Sequence, residues 1–222
     1  MDPQNNIHLV GVADPVAAGT HLLGFFATLG GLSALLRRTA ARPYERTLVL
    51  IFGAATAIQY LASTVYHTFQ GEFLRRIDHA TIYVLIAGTY MPLAGSHLPP
   101  HLRVAVLTLI WVFGVSGIVL KLFFFDFVHK YEYIDVILYL VAGWLGTIPT
   151  FFIWRRGDRG TTAWIMAGAI LYTAGALFEL FGWPKIVARV FNFHEVFHLC
   201  VMAASVSFFA AVWRITLPPP RT

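Results

Sequence analysis

Seven runs of apolar residues, each about 20 long, follow one another along the chain. They cover Val16–Leu36, Thr47–His67, Ile77–Gly95, Leu102–Leu122, Tyr133–Trp154, Thr162–Phe181 and Phe193–Ile215. Each is long enough to cross hydrocarbon once. In lipid every backbone N–H and C=O must be paired within the span, which selects helices. The breaks have local causes. Four arginines (Arg37, Arg38, Arg42, Arg46) surround Pro43, Pro99-Pro100 follows the third run, and Arg155-Arg156-Gly157-Asp158-Arg159-Gly160 follows the fifth. Gly182-Trp183-Pro184-Lys185 closes the sixth, and Pro218-Pro219-Pro220 cannot prolong the seventh. The pattern predicts an all-α membrane protein, a bundle of seven transmembrane helices forming one domain over residues 1–222. Short tails at 1–15 and 216–222 flank it.

Composition agrees with this pattern. Of the 222 residues 58% are hydrophobic and 12% charged, about half the charge of an ordinary soluble domain. The net charge of +5 resides in short clusters between apolar runs, where membrane proteins keep topogenic charge, so nucleic-acid binding is not expected. Cys200 is the single cysteine and excludes an intrachain disulfide framework. The first residues, MDPQNNIHLV, lack the basic start of a signal peptide, so the first run is expected to be a retained helix. Small-residue clusters, Gly53-Ala54-Ala55 and Ala203-Ala204-Ser205, suit close helix packing. With seven spans, six basic residues (Arg75, Arg76, Lys121, Lys130, Lys185, Arg189) fall on the side of the N-terminus, and the other ten of the 16 fall opposite. This count favours an external N-terminus.

Ionisable residues within or at the ends of apolar spans are functional suspects. His67 ends the second run with Ser63 one turn before it, Asp78 and His79 open the third, and His194, Glu195 and His198 open the seventh. Counting spans puts all of these at one depth on the N-terminal side. His194 and His198, four residues apart, project from one helix face. With His67 they offer three nitrogens, which together with a water make the open tetrahedral arrangement of catalytic zinc. One Zn2+ per chain is expected on His67, His194 and His198. Asp78 is positioned to accept the water's hydrogen bond or act as base, and Ser63 to donate to a developing oxyanion. His194-Glu195-Val196-Phe197-His198 also fits H-E-x-x-H, a short pattern of low specificity. Glu195 is therefore an alternative base, beside Asp78 or a packing role. Gln59 and Glu179 read as helix–helix hydrogen-bonding groups.

These residues carry a family resemblance. Ser63-Thr-Val-Tyr-His67, Asp78-His79-Ala-Thr-Ile-Tyr83, Ala87-Gly-Thr-Tyr-Met-Pro92 and Phe193-His-Glu-Val-Phe-His198 with Val201-Met-Ala-Ala-Ser205 resemble the signature of the bacterial hemolysin III family. Weaker echoes are Thr20-His21-x-x-Gly24, Tyr139 with Gly143-Trp144, and Tyr172-Thr-Ala-Gly175. That family is related to the progestin and adiponectin receptors and, more distantly, to the alkaline ceramidases. The resemblance implies a seven-helix bundle with an intramembrane zinc on His67, His194 and His198, Asp78 near the metal water and Ser63 close by. It also implies a multi-pass protein of the bacterial inner membrane with the zinc site towards the cytoplasm, opposite to the arginine count. Where the family often has Glu before its first helix, this chain has Asp14. Three functions are consistent with the sequence. One is a zinc hydrolase of lipid amides or esters, similar to ceramidases. Another is a non-catalytic, receptor-like sensor or regulator of membrane lipid state with structural zinc. A cytolytic pore is disfavoured, because no helix carries a repeated charged stripe. The expected partner is a membrane lipid or fatty-acyl ligand, and the sequence leaves the oligomeric state open.

Overall fold

A computed structural model describes residues 12–125, 132–187 and 191–216. The tails expected at the two ends lie mostly outside these residues. Eight helices are described: α1 Pro15–Arg38, α2 Pro43–Phe69, α3 Glu72–His97, α4 Pro100–Phe123, α5 Glu132–Trp144, α6 Thr147–Arg155, α7 Arg159–Phe181 and α8 Phe193–Ile215. A two-stranded antiparallel ribbon, β1 Lys185–Val187 with β2 Phe191–Asn192, joins α7 to α8. The apolar pattern did not announce it.

The residues at the helix starts explain the boundaries. Prolines open α1, α2 and α4, where the missing N–H costs nothing. The Asp14 carboxylate caps α1 by accepting from the Ala17 N–H at 3.2 Å. Gly182 ends α7 in the left-handed conformation. The expected fifth span is divided at Leu145-Gly146 into α5 and α6. Pro149 is the cause, since it has no N–H to return to the Leu145 carbonyl, which instead accepts from Ile148 at 3.1 Å. Tyr90 of α3 donates to the Ala142 carbonyl at this break, at 2.5 Å.

Six helical segments are long and apolar enough to cross a membrane: α1, α2, α4, Tyr133–Arg155 (α5 with α6), α7 and α8. The protein is thus a multi-pass integral membrane protein. Its outward surface is apolar, as lipid requires, with Leu23, Phe26, Val104, Val112 and Val206 each at least 60% exposed. The seventh segment, α3, is 26 residues long and carries Glu72, Arg75, Arg76 and Asp78 in its first two turns. It packs between α2 and α4.

Small residues set the close approaches, as expected for helices in lipid. A Cβ on Gly88 would lie 2.4 Å from that of Ala55, so α3 meets α2 backbone to backbone there. The ring of Tyr83 occupies the space a Cβ on Gly117 of α4 would need. Ala204 is fully buried, next to Gly168 of α7. A core of Leu35, Val49, Phe52, Leu93, Ile153, Ile165, Phe208, Ala211 and Val212 fills the end of the bundle distant from His67.

Lys121 departs from its expected place. It was counted among loop charges, yet it is fully buried in the last turn of α4 and ion-paired with Asp135 of α5. Lys121 lies inside the fourth apolar run itself, and its buried partner Asp135 keeps it within the bundle, so it does not bear on sidedness.

Asp158 illustrates how the opposite end is tied. Its carboxylate caps α7, accepting from the Thr161 N–H at 2.9 Å, and receives Arg214 of α8 at 3.1 Å. Partial burial pushes this carboxyl up, but the bonds from Thr161 and Arg214 outweigh it and hold it below the ordinary aspartate value. Its stabilising contribution is present above that value and is lost as pH falls through the lowered one. Asp158→Ala is expected to cost about 1 kcal/mol, mostly from the lost cap, measured by thermal unfolding in detergent at neutral pH.

Candidate metal centre

The segment before α1 lies across the end of α2. Ala13 donates its N–H to the Thr68 carbonyl at 3.2 Å and Asp14 to that of His67 at 3.0 Å. This crossing brings the Asp14 carboxylate 3.2 Å from Nδ1 of His67. The other imidazole edge of His67 is turned toward α8. There Asn192 and Glu195 form a reciprocal capping box, with the Glu195 carboxylate accepting from the Asn192 N–H at 2.6 Å. Of the roles open to Glu195 in the H-E-x-x-H string, helix capping is the one its contacts support. The cap fixes the first two turns of α8, from which His194 and His198 project on one face. Nε2 of His198 lies 2.9 Å from Nε2 of His194, and Nδ1 of His194 lies 3.1 Å from a carboxylate oxygen of Glu179 on α7.

His67, His194 and His198 thus converge, as span counting anticipated. One ligand nitrogen from each lies within 4.8 Å of the others, and the His67 and His198 rings are buried. Two ring nitrogens 2.9 Å apart share at most one proton. A cation bonded at about 2.0–2.1 Å suits such a cluster of lone pairs. Carboxylates behind two of the three rings fix their tautomers, so that Nε2 faces inward. The donor set fits a metal ion.

Around this cluster lies a cavity of about 410 Å³. Asp78 and Ser63 both line it. Asp78 is 8% exposed and accepts from the Gln59 side chain at 3.1 Å; Ser63 is 3% exposed. The cavity continues along α3 to Leu93 and Thr150, about 22 Å from the level of Asp78 by helical rise. Its walls are mainly apolar, with Tyr90, Ile165 and Phe208 among them.

Sequence reasoning missed three contributors. Asp14 was noted only as a departure from the family pattern. Glu179, read as a helix–helix hydrogen-bonding group, makes such a bond from α7 to α8, but its place behind the ring of His194 was not foreseen. His21 of α1 is 3% exposed, and its ring centroid is 4.1 Å from that of His198. Neither of its ring nitrogens has a hydrogen-bond partner among the described residues. The available signal was its position, two turns into α1 and so at the depth of His67.

Comparison with known proteins places this arrangement in a lineage. The chain is 31% identical over 199 residues to a Hemolysin-3 homolog of Bacillus subtilis (strain 168), covering 87% of this chain and 89% of that protein. It is 29% identical over 205 residues to Hemolysin-3 of Bacillus cereus, covering 90% of each. It is 24% identical over 201 residues to the human Monocyte to macrophage differentiation factor, covering 85% of this chain and 78% of that one. The sequence profile of the Haemolysin-III related proteins matches residues 12–209, from the segment that delivers Asp14 to the far part of α8, and the chain belongs to that family.

Proposed function

We propose that this protein is a zinc-dependent hydrolase of the amide or ester bond of a membrane lipid. The observation that carries the reading is the meeting of a buried three-histidine cluster, an acid and an apolar cavity long enough for an acyl chain. His67, His194 and His198 would hold the ion, with Asp14 and Glu179 orienting two of the rings. Bound there, zinc would supply Lewis acidity and lower the pKa of a water toward about 7.

The chain's own groups account for the rest. Asp78, steadied by Gln59, takes a proton from the attacking water and returns it to the leaving nitrogen or oxygen. The carbonyl carbon gains an oxygen and loses the C–N or C–O bond, giving a fatty acid and an amine or alcohol. The Ser63 hydroxyl donates to the oxygen on which negative charge develops. The apolar walls hold the acyl chain and exclude bulk water. In this reading α3 is a seventh span, and the site opens toward the cytoplasmic face of a bacterial inner membrane.

A second reading has an observation in its favour. The cluster joins four helices, since Asp14 precedes α1, His67 lies on α2, Glu179 on α7 and His194 and His198 on α8. Such a staple would stabilise a non-catalytic lipid sensor equally well. The two separate on turnover by purified, zinc-loaded protein against a panel of lipid amides and esters. The hydrolase reading expects Asp78→Asn to keep its zinc and lose about 100-fold or more in kcat. Wild-type protein with one zinc per chain and no turnover across the panel would leave the sensor.

A further inference from the structure

Among the described residues, Arg75 is a cation that faces the cavity without an ion-pair partner. Arg75 lies one turn of α3 before Asp78, and both line the chamber. The neighbouring acid, Glu72, is ion-paired with Arg76 instead. Among the described residues Arg75 makes no ion pair, and its Nε is buried with no hydrogen-bond partner. The guanidinium is held over the ring of Phe125, 4.8 Å from its centroid, which orients the group without neutralising it. Tyr66 lines the same end of the cavity. A guanidinium drawn partly out of water into an apolar-walled chamber is stabilised when an anion completes it, and its planar fork suits carboxylate and phosphate oxygens.

We propose that Arg75 anchors an anionic headgroup, so that the substrate class is an acyl lipid with a carboxylate or phosphate close to its scissile carbonyl. Three residues of helix separate Arg75 from Asp78, a rise of about 4.5 Å. That spacing fits an N-acyl amino acid, whose carboxylate is a few bonds from the amide, better than a lipid with a bulky neutral head. The order along α3 is then headgroup at Arg75, reacting bond at Asp78, and acyl chain toward Leu93. The substrate class rests on the hydrolase reading; the anion anchor itself does not.

The probes are N-palmitoylglycine and its neutral counterpart N-palmitoylethanolamine. Binding is measured by titration calorimetry on the zinc-loaded full chain carrying Asp78→Asn, which slows turnover. The anionic probe is expected to bind about 10-fold or more tightly than the neutral one, as for a charge-assisted hydrogen bond. Adding Arg75→Gln should bring the two within about 2-fold, and Arg75→Lys should restore most of the preference. Equal binding of the probes before Arg75 is changed, or a preference that survives Arg75→Gln, overturns the anchor. Inorganic phosphate alone displacing the anionic probe at millimolar concentration overturns the lipid-substrate assignment, since the site would then take a soluble anion. Selective, Arg75-dependent binding with no turnover by the wild type of either probe or of the panel of lipid amides and esters sinks the hydrolase reading and leaves the anchor. Faster turnover of the neutral probe does the reverse.

Discussion

His198→Ala is expected to reduce bound zinc from one per chain to below about 0.1 when free zinc is buffered at nanomolar levels. His198 is 1% exposed, and its Nε2 faces that of His194 at 2.9 Å. Removing it leaves two protein nitrogens where a stable zinc site uses three or four ligands. Loss of a group that merely orients a ligand typically costs 10–100-fold in affinity, so loss of a ligand itself should exceed about 100-fold. Metal affinity is also folding free energy, so the variant should melt at lower temperature, and a chelator that lowers the wild-type Tm should leave the variant's unchanged. His67→Ala should lose the metal too, and in addition destabilise the metal-free chain. It strands the Asp14 carboxylate oxygen that now faces Nδ1 of His67 at 3.2 Å, an unsatisfied buried group worth about 1–3 kcal/mol. Metal analysis beside thermal unfolding, with and without chelator, checks both. An unchanged zinc content in His198→Ala would remove the metal centre and the hydrolysis built on it.

What could be read in advance divides by physical cause. The histidine cluster was legible because helix periodicity and the bilayer's geometry act together. Residues four apart share a face, and alternate spans return to the same side, so 67, 194 and 198 had to lie at one level. Asp78 and Ser63 followed by the same counting. The groups behind the rings were not legible, because their positions depend on lateral packing that no periodicity encodes. Asp14 reaches His67 only through the crossing of the pre-α1 segment over the end of α2. Glu179 reaches His194 because α7 is the neighbour on which α8 packs most extensively. His21 was obscured by its setting, since a lone histidine on an apolar helix is usually a packing residue. The break between α5 and α6 was missed although Pro149 signalled it, because apolar length outweighed the proline.

The buried Lys121–Asp135 pair carries the second large effect. Lys121 is fully buried, Asp135 is 5% exposed, and the pair joins α4 to α5. Lys121→Met should destabilise the protein by about 3–5 kcal/mol, because the Asp135 carboxylate would stay buried without its cation. The double variant Lys121→Met with Asp135→Leu should recover to within about 1 kcal/mol of wild type, since apolar packing often replaces a buried pair without loss. Unfolding in mixed detergent micelles measures both, and a single variant as stable as wild type would refute the expectation. The comparison also separates scaffold from chemistry. Asp135 lines the cavity near Tyr139, whose hydroxyl donates to the His79 carbonyl at 3.2 Å on the turn that presents Asp78. A pair that only fastens helices leaves zinc content intact in the double variant and restores lipid binding along with stability. Recovered stability without recovered binding would instead assign Asp135 to the chamber, where its charge would act on the same polar end that Arg75 occupies.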